Sequence, residues 1–130
     1  MRWSRVIAAW VFIVLAESIH GILRRSFLEP VMGDLPARQL AVLTGSGIIF
    51  LIAWLCVRWI GARTSMAQIK TGMTWAVLTL AFEITLGRAL GYGWQRILSD
   101  YDPTKGGFLI VGFLFMALSP LLAARIQKFQ

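Results

Sequence analysis

VIAAWVFIVLAESIHGI, residues 6–22, is the stretch that decides how this chain folds. Only Glu17, Ser18 and His20 interrupt its apolar character. A bilayer core about 30 Å thick needs roughly 20 helical residues, with a lower limit near 17. In lipid, the backbone is satisfied only by helices or closed barrels. The alternation of a barrel strand is absent, so the stretch reads as a membrane-spanning helix.

Three further apolar blocks lie at residues 40–60, 71–87 and 106–124. Of the 130 residues, 58% are hydrophobic, against about 45–50% in a soluble domain. These blocks predict an all-α membrane protein. It would be a single four-transmembrane-helix bundle over residues 1–130, with spans near 5–23, 40–60, 70–88 and 106–125. Pro30, Gly33-Asp34 and Pro36 are expected to break the first helix and turn the chain. Residues 90–98 are expected to form a short surface helix with Trp94 at headgroup depth. Trp3 and Trp10 suit one interfacial belt. Pro120 is expected near the end of the last span, as a kink that membrane helices tolerate.

The charges divide by side. Residues 1–5, 58–70 and 125–130 hold seven Lys/Arg and no acid. The opposite connections, counted with the helix ends that lead into them, hold six Lys/Arg and all six acids. By the positive-inside rule both termini are cytoplasmic. The small size and strong bias point to a bacterial inner membrane. The net charge of +7 is therefore read as topology rather than as nucleic-acid binding. Residues 1–16 have the layout of a secretory signal. However, the apolar run resumes at Ile19 and the third block has the same layout, so an uncleaved anchor is expected. The single cysteine, Cys56, excludes an intrachain disulfide and a Cys-based metal site.

A shift of 66 residues places Glu17 on Glu83, Gly21 on Gly87 and Asp34 on Asp100. This suggests two parallel two-helix repeats. Glu17 lies about 18 Å along its helix from Arg5, and Glu83 about 20 Å from Lys70. Both are thus expected in the outer half of the bundle, at nearly one level. An acid inside a membrane costs about 2.5–3.5 kcal/mol even on lenient scales, so each should face the interior. Glu17, His20 and Arg24 fall within about 60° of one another on a helix, a ladder toward the surface. With Glu83 and Arg88 they form the candidate intramembrane polar cluster. Arg88 points about 140° away from Glu83, toward the interface or another helix.

In the outer connections, Trp94, Arg96, Asp100 and Tyr101 are candidate interaction residues. Gly45-Ser46-Gly47 reads as a close helix contact. One His and two Glu offer a weak metal set, and nothing in the sequence names a cofactor.

The first functional reading is a non-catalytic accessory, assembly or interaction subunit. Its partners would be the bilayer and either other membrane subunits or further copies of the chain. The alternative is a small proton- or cation-coupled transporter or channel that uses Glu17 and Glu83. No nucleophile motif supports an enzyme.

Overall fold

The computed structural model describes residues 1–99, 102 and 109–128. Among these the chain is all-helical. Helix α1 (Trp3–Leu23) continues through a π-helical turn (Arg24–Leu28) into the short α2 (Glu29–Met32). Then come α3 (Asp34–Ile60), α4 (Ser65–Ala89), α5 (Trp94–Ser99) and α6 (Leu109–Ile126).

Among the described residues, three helical stretches are long and apolar enough to cross a membrane: Trp3–Met32, Asp34–Ile60 and Leu109–Ile126. The fourth expected span, α4, matches them in length at 25 residues but not in composition. Gln68, Thr71 and Thr79 are buried on it and Glu83 is half-buried. Its outward face is apolar, with Met73, Val77 and Leu80 exposed at helical spacing. Its polarity is therefore turned inward, and an average over the whole helix cannot register that.

The turn between α1 and α3 differs from the sequence reading. Pro30 does not end the helix. The N–H of Glu29 bonds back to the carbonyl of Arg24, the wide i→i−5 spacing of a π turn. That widening relieves the clash between a proline ring and the preceding turn. Pro36 lies in the first turn of α3, where its missing N–H would have no intrahelical partner. The break falls at Gly33 alone, whose φ of +86° favours glycine. Consequently α3 begins at Asp34 rather than near residue 40. The short surface helix is present as α5, beginning at Trp94, and α6 runs through Pro120.

The long helices pack in the order α1, α3, α6, α4, and α4 closes onto α1. Helices α4 and α6 meet at Gly72, where an added Cβ would collide with the carbonyl of Ala117. Closure of α4 on α1 uses two indoles. Trp75 is fully buried and its Nε1 donates to the Val6 carbonyl (3.0 Å). Trp10 Nε1 donates to Thr79 Oγ1 (3.0 Å), and its ring meets Phe82 edge-on. Trp10 thus packs between helices.

The half of the bundle that carries the termini is solid. Val6, Ala9, Ile13, Ala53, Val57 and Trp75 belong to its core. Its end is stitched by polar bonds. Arg2 N–H donates to the Ile60 carbonyl (2.9 Å) and Arg5 Nη1 to the Trp59 carbonyl (2.7 Å). Gln127 Nε2 donates to the Trp54 carbonyl (2.6 Å), and Arg58 Nε donates to Gln127 Oε1 (3.1 Å). Thr64 caps α4 by accepting the Ala67 N–H (3.1 Å).

Candidate functional site

The opposite half of the bundle encloses a cavity of about 410 Å³. It lies among α1, α3, α4, α5 and α6, beyond the level at which the two indoles draw α1 and α4 together. Its volume falls in the range usual for small-molecule sites, roughly 300–1,000 Å³. Ile13, Ile49, Phe82, Phe113 and Met116 are among its apolar walls. Ile22 and Leu90 also line it and are exposed, which places its rim beside the ends of α1 and α4.

Glu17 and Glu83 both face this space. Glu17 comes from α1 and Glu83 from α4, and both line the one cavity. Their spacing along the helices implies a common level and leaves open whether they meet. The Glu17 carboxylate rests against Gly45 of α3. A Cβ at residue 45 would stand 2.9 Å from Glu17 Oε2 and 3.4 Å from Oε1. Gly45 therefore admits a carboxylate rather than a close helix backbone, which the Gly-Ser-Gly pattern could not reveal. Glu17 Oε1 is buried and makes no hydrogen bond among the described residues. Buried carboxylate oxygens are ordinarily satisfied, so this atom has capacity for a proton or a donor group.

His20 extends the site from Glu17 to α3. Its Nδ1 lies 3.8 Å from Glu17 Oε2, too far for a direct hydrogen bond but close for an ion pair. Its Nε2 lies 2.6 Å from Thr44 Oγ1. The Thr44 hydroxyl can donate to the Leu40 carbonyl (3.3 Å) while accepting from Nε2–H. Alternatively the hydroxyl donates to Nε2, and Nδ1–H then points toward Glu17. The Glu17–His20–Thr44 chain thus accommodates a proton at more than one position. Nothing in the sequence singled out Thr44.

The expected Glu17–His20–Arg24 ladder is only partly built. Arg24 sits in the π turn and its Nε pairs with Glu29 at 3.9 Å. Arg24 and Arg25 both line the cavity and act electrostatically on Glu83. Arg88 stays out of the cavity. It is exposed, donates from Nη1 to the Tyr92 carbonyl (3.3 Å) and lies over the Trp94 ring at 4.9 Å. That is the divergence its helical angle implies. Trp94 itself is exposed, whereas Arg96 lines the cavity and packs over Tyr92. Asp100 and Tyr101 lie outside the described residues.

The rim holds two residues that the candidate cluster lacks. Arg38 of α3 lines the cavity beside Arg96. Asp34 joins them, at 3.0 Å from Arg38 and 3.5 Å from Arg96. This ties α5 to the start of α3, and the acid also suits that helix N-terminus. Among the described residues, no group of three His, Cys, Asp or Glu side chains is placed to hold a metal ion.

No protein-family model, curated protein or solved structure matches the chain. The site must therefore be read from its own chemistry. It has apolar walls, two facing carboxyls at mid-cavity and a guanidinium-rich rim.

Proposed function

We propose that this chain is a small four-span integral membrane protein whose cavity binds a small solute and exchanges protons through Glu17 and Glu83, as a coupled carrier does. The observation that carries the reading is that the two glutamates line one solute-sized cavity. A polar clasp between helices would instead fill its own interior. Ionisable residues inside membranes usually mark substrate or proton paths.

Several features support α4 as the fourth span. Its 25 residues extend about 37 Å, and its exposed face is apolar. Cytoplasmic termini are supported by the seven basic and no acidic residues at the terminal end. On this topology the cavity opens away from the cytoplasm. A bacterial inner membrane is the setting that the size and charge bias favour. The match of Glu17 with Glu83 across one cavity supports the repeat of two parallel helix pairs.

Proteoliposomes carrying a trapped pH dye test the reading. A panel of organic cations, carboxylates and phosphate esters should include a solute that drives protein-dependent proton movement. The Glu17→Gln/Glu83→Gln double variant should abolish that movement while keeping a monodisperse profile. Flux that survives both substitutions defeats the carrier reading. So does recovery of the chain only within a larger complex, which would return it to the accessory-subunit class.

A further inference from the structure

We propose that the solute is an amphiphilic oxyanion, a phosphate or carboxylate head on an aliphatic tail, with its head among Arg24, Arg38 and Arg96 and its tail along the apolar walls. The inference rests on the cavity reading above and adds the ligand's chemistry to it.

Guanidinium groups repel one another and do not gather without cause. Here Arg24, Arg25, Arg38 and Arg96 all line one cavity. Arg38 lies within electrostatic reach of both Arg96 and Arg24. Among the described residues, the acids that pair with this group are Glu29, with Arg24, and Asp34, shared by Arg38 and Arg96. Neither of these acids lines the cavity. Four cations thus line this end of the cavity while these two acids stand outside its lining, the polarity an anion site needs. Arginine forks suit a phosphate or carboxylate, with several N–H donors in fixed geometry.

The tail follows from what lies deeper. Gly45 contacts the Glu17 carboxylate, and Arg38 lies seven residues toward the rim on the same helix, about 10 Å away. Toward and past the glutamates the lining is largely apolar, with Phe113, Met116, Ile13 and Ile49, and the Thr79 hydroxyl there already accepts the Trp10 indole N–H. A charged head at the rim therefore places an attached chain against apolar walls.

The glutamates then couple binding to protons. An anion entering near Glu17 and Glu83 is repelled unless they carry protons. Around Glu17 stand His20 from α1, Arg24 and Arg25 from the π turn, Arg38 from α3, Glu83 from α4 and Arg96 from α5. The described cavity residues of α6 carry no charge. Among the groups of the chain that line the cavity, the glutamates and His20 set the pH response. Each favours the anion when protonated, and binding should strengthen as pH falls.

The probes are octyl phosphate, octyl sulfate, inorganic phosphate and octyltrimethylammonium, added to the full chain in neutral maltoside micelles and followed by tryptophan fluorescence. Octyl phosphate itself titrates in this range, so the pH dependence is read with octyl sulfate, whose charge is fixed and which should bind about five- to tenfold more tightly near pH 6 than near pH 8. Arg24→Gln and Arg38→Gln should each weaken octyl phosphate binding by about tenfold or more. Glu17→Gln/Glu83→Gln should bind at both pH values with a flattened pH profile, a response that misfolding cannot produce. Preferred binding of octyltrimethylammonium overturns the assignment. Equal affinity for inorganic phosphate overturns the tail. Octyl phosphate binding without any solute-driven proton flux would leave this ligand class standing and remove the carrier reading.

Discussion

Gly72→Ala tests the packing that shapes the bundle. Gly72 is buried where α4 crosses α6, and an added Cβ would overlap the Ala117 carbonyl oxygen and carbon. No rotamer change can relieve this, because the obstacle is backbone. Taken alone, alanine in a helix is about 1 kcal/mol better than glycine. Overpacking typically costs about 1–3 kcal/mol, and a backbone collision belongs at the upper end. The difference leaves a net destabilisation of about 2 kcal/mol. For a chain of 130 residues this lowers Tm by roughly 6–10 °C. Gly47→Ala is the internal control. It also lies within a helix, but nothing stands within 4 Å of its added Cβ, so it should be neutral or gain up to about 1 kcal/mol. Unfolding in detergent can be followed by the chain's own tryptophans. If Gly72→Ala matches or exceeds the wild type while Gly47→Ala behaves as expected, α4 and α6 do not cross at Gly72.

Other substitutions separate the halves of the molecule. Trp75→Phe removes the bond to the Val6 carbonyl and part of a fully buried ring; unfolding should show a loss of about 2 kcal/mol. Gly45→Ala meets only the flexible end of Glu17, so stability should hold within about 1 kcal/mol while the pH profile of octyl sulfate binding changes. Asp34→Asn releases Arg38 and Arg96 from a half-exposed acid. Global stability should change by less than about 1 kcal/mol, whereas hydrogen exchange in α5 should accelerate.

Much of the helical frame is legible in the sequence, because apolar runs of span length have few alternatives. The equal depth of Glu17 and Glu83 is legible too, since depth along a helix follows from residue spacing, but not that both turn into one cavity. What the sequence hides are contacts between helices. Gly45 looks like any small packing residue until Glu17 is seen against it. Nothing around Trp10 in the chain announces that Thr79 accepts its indole N–H. Pro30 looks like a stop because a π turn leaves no local signature. Arg38 resembles an ordinary loop-side charge, and only the return of α5 over α3 makes it part of a cavity rim. The polarity of α4 is hidden as well, because only the structure shows that Gln68, Thr71 and Thr79 are turned inward.

The account rests on Glu17 and Glu83 sharing one cavity. The chain has three glutamates, Glu17, Glu29 and Glu83, so carboxyl-¹³C glutamate labelling gives a resolvable NMR spectrum. The decisive measurement is the pH titration of these carbons in the wild type and in Glu17→Gln. The account predicts that the substitution moves the titration midpoint of the Glu83 carbon and leaves that of Glu29 in place. An unchanged Glu83 titration would contradict it, because the two carboxyls would then not be facing one another across a common space.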